Sequence, residues 1–203
     1  MPDRAIHSLA GLILAAGSSS RMGQPKQLLP WQNTTLLGHT VEQLQNVVND
    51  VYVVVGARHT EIRSSITNTN VQIIHNREWK KGMGASIAKG MAYLSTTTSY
   101  DAVLIVLVDQ PLLGSEYYQK MLACFSKGKH PVVATGYAEN CGVPAIFDRS
   151  LFQPLQNLPE EYGAKKLIGK YKAQRKCLEA EGAQQDIDTP EVYEQLYKTW
   201  GRK

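Results

Sequence analysis

Val103-Leu104-Ile105-Val106-Leu107-Val108, running straight into Asp109-Gln110-Pro111, is the stretch on which the fold turns. Its branched aliphatic residues show no polar alternation, as expected of a strand buried on both faces in the middle of a parallel sheet. Working outward, similar short runs stand at Gly11–Ala15, Val51–Val55, Val71–His75 and Pro131–Thr135. Their brevity and Val/Ile/Leu content predict strands rather than helices. Between them, Thr35–Leu44, Gly84–Leu94 and Glu116–Phe125 carry apolar residues at helical spacing. This alternation predicts an α/β fold: a three-layer α/β/α, Rossmann-like, open and mostly parallel sheet with right-handed crossovers. After residue 135 the rhythm loosens through Gly136–Phe147 and the proline-bracketed Gln153–Pro159. A helix is expected at Gly163–Lys172. A last one is expected at Pro190–Trp200, with Thr189 as N-cap and Pro190 at the first helical position.

The chain has 203 residues, 43% of them hydrophobic, which excludes a disordered chain and suffices for one core over 1–203. Cys124, Cys141 and Cys177 are odd in number, far apart and without a CxxC, which argues for a reducing compartment and against a disulfide or zinc framework. No apolar run approaches the ~18 residues of a membrane span, so a soluble cytoplasmic domain is expected. The net charge of +4 suits a phosphorylated small molecule as well as a nucleic acid. Since no basic stripe is interleaved with aromatics, nucleic acid is not an expected partner. No GxSxG elbow supports hydrolase chemistry, and the five histidines lack metal-ligand spacing.

Chemistry is concentrated in the loop after the first strand: Leu14-Ala15-Ala16-Gly17-Ser18-Ser19-Ser20-Arg21-Met22-Gly23-Gln24-Pro25-Lys26. Gly17 and Gly23 permit positive φ and close backbone approach to an anion, and Arg21 and Lys26 bring two cations to the same loop. It is neither a P-loop, since five residues separate the glycines and Gln24 follows, nor a GxGxxG dinucleotide loop. Asp109, at the carboxyl end of the central strand, stands where ligands bind in such sheets. A divalent cation bridging it to phosphate would relieve the cost of a partly buried charge there. Asp186 and Asp188 are candidates for a second carboxylate and face opposite sides if extended.

The string Leu14 to Leu29, LAAGxSxRMGxPKxLL, resembles the signature of the MobA-like nucleotidyltransferases, closest to their molybdenum cofactor cytidylyltransferase branch; the guanylyl branch usually has Gly-Gly at Ala16-Gly17. Asp109-Gln110-Pro111, Asp186-Ile187-Asp188-Thr189-Pro190, His75–Ile87 and Gly142–Phe147 with Gly163–Leu167 are similar to further stretches of that family. The resemblance covers roughly residues 9–196. It implies a sheet of the nucleotide-diphospho-sugar transferase type, with residues 9–115 holding the nucleotide and 116–203 the acceptor. Leu14, Ala15, Ala16, Gly17, Arg21, Lys26, Asn76, Ser86 and Asp109 would bind the nucleotide. Arg21, Lys26 and Asp109 would act in catalysis, and Asp109 with Asp188 would hold Mg²⁺. The implied reaction joins CTP to a molybdopterin-type acceptor and releases pyrophosphate, with a molybdenum hydroxylase apoprotein as a possible client. Ala85 and Val143 depart from the family's usual Ser and Asn or His. GTP or another triphosphate, another phosphorylated acceptor, and a non-catalytic cofactor carrier stay open as alternatives. The run Lys165, Lys166, Lys170, Lys172, Arg175 and Lys176 reads as a solvated face, or as a docking surface for an acidic partner.

Overall fold

The computed structural model describes residues 6–66, 70–97, 99–138 and 140–202. Its sheet is built from β1 (Leu9–Ala15), β4 (Asp50–Val55), β5 (Val71–His75), β6 (Ala102–Leu107), β7 (Val132–Tyr137), β8 (Asn140–Asp148) and β9 (Lys176–Leu178), in the order β5-β4-β1-β6-β8-β7-β9. A small hairpin of β2 (Pro30–Trp31) and β3 (Thr34–Thr35) stands apart from it. Among the described residues, only β8 runs antiparallel to its neighbours in the large sheet. The expected strand over 131–135 is β7. The stretch Gly136–Phe147, whose rhythm loosens in the sequence, holds the last two residues of β7 and most of β8.

The period-2 alternation of side chains divides the interior in two. Leu9, Ile13, Val53, Leu104 and Val106 face α1 (Leu36–Gln45), α2 (His59–Ser65), α4 (Ser115–Ser126) and α7 (Pro190–Leu196). Leu12, Leu14, Val54, Val103 and Ile105 face α3 (Met83–Thr97), α5 (Phe152–Gln156) and α6 (Lys165–Lys170). Val103 through Val106 are wholly inaccessible, as the continuous apolar run requires. Close helix–sheet contact explains two glycines. A Cβ on Gly11 would lie 2.3 Å from the Leu44 side chain, and one on Gly90 would lie 2.7 Å from Leu12.

Helix ends follow local chemistry. The Thr35 hydroxyl caps α1 by accepting from the Gly38 amide at 3.1 Å, and Thr189 caps α7, accepting from Val192. The last helix is shorter than expected: regular α-helix ends at Leu196 and a π-helical turn continues to Gly201. The helix expected over 163–172 is confined to Lys165–Lys170. The cysteine expectation needs correction. Cys141 and Cys177 form a disulfide, with Cα atoms 6.0 Å apart, and Cys124 is free. Sequence distance hid the pair, because β8 and β9 both lie against β7 and their cysteines meet only once the sheet forms. Among the described residues no helix is long and apolar enough to cross a membrane.

Candidate active site

β1 ends at Ala15, and the chain that follows is wound into a fixed loop. Ser20–Met22 and Lys26–Leu28 are single 3₁₀ turns, with Ser19 (φ 54°) and Gly23 (φ 67°) in the left-handed region. The centre of the loop is Gln27, which is 2% exposed. Its amide donates to the carbonyls of Ala15 (2.9 Å) and Gly17 (3.0 Å), and its oxygen accepts from the Ser19 hydroxyl. That hydroxyl oxygen accepts in turn from the Lys26 amide. A Cβ on Gly17 would meet nothing within 4 Å, so the outer side of the loop is bare backbone facing open space. Sequence reading singled out Gly17 and Lys26 and passed over Gln27. A polar residue between Lys26 and Leu28 gives no sign that its amide is buried.

Lys26 reaches from this loop to the end of β6. Its Nζ donates to Asp109 Oδ2 at 2.6 Å, to Asp188 Oδ1 at 3.3 Å and to the Ile187 carbonyl at 3.3 Å. Arg21 Nη2 donates to Asp188 Oδ2 at 3.1 Å from a side chain that is 70% exposed. The segment carrying Asp188 is docked by the Ile187 amide on the Asp109 carbonyl (2.8 Å). Arg21, Lys26, Asp109 and Asp188 therefore form one cluster, assembled from three distant parts of the chain. Asp186 points elsewhere and accepts from the Gln110 amide at 2.7 Å. Partial desolvation, then the nearby Asp109 and Asp188 charges, push its carboxyl above the usual range. The same Gln110 amide donates to the Tyr137 hydroxyl, which donates to the Val143 carbonyl. Burial raises that phenol to about 12.

Beside the cluster lies a cleft of about 370 Å³. It is lined by Leu14, Ala15, Ala16 and Gly17 from the end of β1 and its loop, and by Trp79, Lys80, Gly82, Met83 and Ser86 from the segment that opens α3. Leu107, Val108, Asp109 and Lys26 line its inner end. Trp79 packs so tightly over Gly56 that a Cβ there would lie 2.5 Å from the Trp79 Cβ and 2.8 Å from the Ala16 carbonyl. The segment carrying Trp79 to Ser86 is braced from behind. Ala85 donates its amide to the Glu160 carbonyl, and Lys81 bridges Glu78 and Glu160 at 2.7 and 2.9 Å. One of the first amides of α3 is thus already bonded within the protein. Asn76 does not line the cleft. It is 3% exposed, donates to Ser86 Oγ at 3.1 Å and accepts from the Glu78 amide, so it orients Ser86 from behind.

The cluster suits a hard divalent cation. Asp109 Oδ1 is buried without a hydrogen-bond partner, and a second carboxylate, Asp188, converges with Asp109 Oδ2 on the Lys26 ammonium. Among the described residues no group of three or more His, Cys, Asp or Glu side chains could hold a metal. The donor set is therefore that of an ion taking one or two carboxylates and completing its shell with phosphate and water.

Several known proteins resemble this chain. A probable molybdenum cofactor guanylyltransferase of Bacillus mycoides (strain KBAB4) is 32% identical over 116 residues, 56% of this chain and 54% of that protein. The molybdenum cofactor cytidylyltransferase of Escherichia coli (strain K12) is 29% identical over 118 residues, 58% and 59% of the two chains. This chain thus spans little more than half the length of the curated relatives it matches. The crystal structure of Rv0371c from Mycobacterium tuberculosis H37Rv superposes with a TM-score of 0.81 at 24% identity, covering 96% of this chain and 100% of that one. Its complex with manganese superposes at 0.74, with 22% identity and 95% and 99% coverage, and the likeness is one of fold. The family model described as the MobA-like NTP transferase domain matches residues 11–176, from the strand that feeds the loop to the first residue of β9, and the chain belongs to that family.

Proposed function

We propose that this protein transfers a nucleotidyl group from a nucleoside triphosphate, CTP by preference, to the terminal phosphate of a molybdopterin-type acceptor. The observation that carries the reading is the convergence of Lys26, Arg21, Asp109 and Asp188 at the inner end of a largely apolar cleft. The names of the guanylyl and cytidylyl relatives support the molybdopterin acceptor. CTP is favoured because Ala16, which lines the cleft, stands where the guanylyl branch usually has glycine.

In this reaction an acceptor phosphate oxygen attacks the α-phosphorus. One P–O bond forms, the α–β bridging bond breaks, and pyrophosphate leaves with the bonding electrons. The attacking oxygen is already ionised, so no general base is required and the work is alignment and charge stabilisation. The pinned loop 16–19 offers backbone amides to the phosphates, and Lys26 and Arg21 stabilise charge on the departing pyrophosphate. The apolar lining, Trp79 and Met83 with Leu14–Ala16, holds the base and excludes water from the reacting end. Asp109 and Asp188 would hold Mg²⁺, which when bound supplies electrophilic charge to the phosphate oxygens.

The first test is a thermal-shift panel of CTP, GTP, UTP and ATP with Mg²⁺. A ligand at a hundred times its Kd adds about 2.7 kcal/mol of stability, so CTP is expected to give the largest shift. Stabilisation by GTP alone would overturn the cytidylyl preference. Asp109→Asn is expected to lose several kcal/mol of transition-state stabilisation, a fall of about 10² or more in turnover. Near-normal turnover in that variant would sink the whole reading.

A further inference from the structure

Lys26 makes contacts that a lysine reserved for phosphate would not need. Three oxygens surround its ammonium: Asp109 Oδ2, Asp188 Oδ1 and the Ile187 carbonyl. The Lys26 side chain is 18% exposed and that of Asp109 16%, so this ion pair is shielded from bulk water. These are the same two carboxylates that the proposed function gives to the divalent cation, and the inference rests on that reading. A divalent ion would compete with the Lys26 ammonium for the oxygens it now holds, Asp109 Oδ2 and Asp188 Oδ1. A divalent ion between Asp109 and Asp188 would stand within contact distance of the Lys26 ammonium in a weakly screened setting, where like charges repel strongly. Arg21 already balances the outer oxygen of Asp188, so the cluster closes its charges with side chains alone.

We infer that Lys26 is a placeholder for the divalent cation, holding Asp109 and Asp188 together in the free protein and yielding them only when a triphosphate arrives. The triphosphate offers the ammonium a new partner on the cleft side, since Lys26 and Gly17 both line that cleft. The vacated carboxylates, with Asp109 Oδ1 still lacking a partner, then take the metal. Two consequences follow. Free divalent metal binds weakly, and metal and nucleotide strengthen one another by the same factor, as linkage requires. The lysine also keeps the carboxylates from repelling each other apart before substrate binds, so the site is formed in advance without metal.

The test is Mn²⁺ binding, read by the electron paramagnetic resonance signal of the free ion, with and without the α,β-methylene analogues of CTP and GTP. The proteins are the wild type, Lys26→Met, Lys26→Gln and Lys26→Arg. Once the Mn²⁺ held by the analogue alone is subtracted from protein-free controls, wild type is expected to bind Mn²⁺ at least about tenfold more tightly with an analogue than without, within the ordinary range of coupling between sites. Lys26→Met and Lys26→Gln are expected to bind nucleotide-free Mn²⁺ at least about tenfold more tightly than wild type, while Lys26→Arg, which keeps the charge, stays close to wild type. Folding is checked by circular dichroism. If neither neutral variant folds, the analogue's effect on wild type decides: no gain in Mn²⁺ affinity overturns the placeholder. Neutral variants that fold and bind free Mn²⁺ no better than wild type overturn it as well, and leave the proposed reaction standing. A wild type that binds Mn²⁺ under no condition, with either analogue, removes the metal-dependent reaction itself.

Discussion

Replacing Gln27 with leucine tests whether the loop is held in place before any ligand arrives. The two side chains have similar volumes, so the change opens no large cavity and acts mainly through hydrogen bonds. The Ala15 carbonyl belongs to a residue that is 2% exposed, and losing its 2.9 Å donor costs about 1–3 kcal/mol for a buried acceptor. The Gly17 carbonyl lies at an exposed residue where water can substitute, so its 3.0 Å bond contributes about 0.5–1.5 kcal/mol. Added apolar burial by leucine returns about 1 kcal/mol, leaving a net loss of about 0.5–3.5 kcal/mol, centred near 2. Urea denaturation measures this directly. Nucleotide affinity is the second readout. If even one loop residue must be re-ordered on binding, at about 1–2 kcal/mol, the Kd should rise by about tenfold. A Gln27→Leu protein with unchanged affinity, whatever its stability, would refute the idea that this amide pre-organises the loop.

Three further outcomes are expected. Gly84→Ala would bring a Cβ to 2.1 Å from the Pro159 carbonyl and 2.4 Å from that of Tyr162, so the 159–162 segment must shift; a loss of about 1–2 kcal/mol and weaker nucleotide binding are expected in melting and titration experiments. Burial lowers His39 below its ordinary 6.5, and its Nε2 meets the Pro111 carbonyl. The unfolded chain therefore takes up that proton first. The His39 contribution is fully present above pH 6.5 and is lost as the pH falls below it. Urea midpoints should fall more steeply below that point in wild type than in His39→Gln, and parallel curves would refute this. Replacing Cys141 and Cys177 by serine frees a loop with a separation of 36 residues; about 3–4 kcal/mol of stability should be lost, measured as a lower midpoint against the oxidised wild type.

The parallel strands were legible because burial on both faces leaves an uninterrupted apolar run, as in β6, and short Val-rich runs, as in β4. β8 was not, since Asn140-Cys141-Gly142-Val143-Pro144 opens it with residues that elsewhere mark turns. α2 escaped because Ile62 is its one buried residue, which leaves no apolar stripe to read. In the site, Lys26 and Asp109 carry recognisable local motifs, yet their contact spans 83 residues and appears only after β1 and β6 pair. Asn76 shows the reverse difficulty. Its motif is visible, but its burial behind Ser86 depends on how β5 meets α3. The disulfide belongs with these cases: strand order, not spacing, brings its cysteines together.

The cluster around Lys26 also has a history during synthesis. The loop, the cleft walls and Asp109 are all made by residue 109, whereas Asp188 follows 79 residues later. At about 5–20 residues per second, a ribosome needs roughly 4–16 s to cover that distance. Through this interval the growing chain can pair β1, β4, β5 and β6 and bring Lys26 to Asp109, yet it lacks the second carboxylate. Until then the pocket is half built, and the docking of the 186–188 segment on the Asp109 carbonyl is the step that completes the cluster.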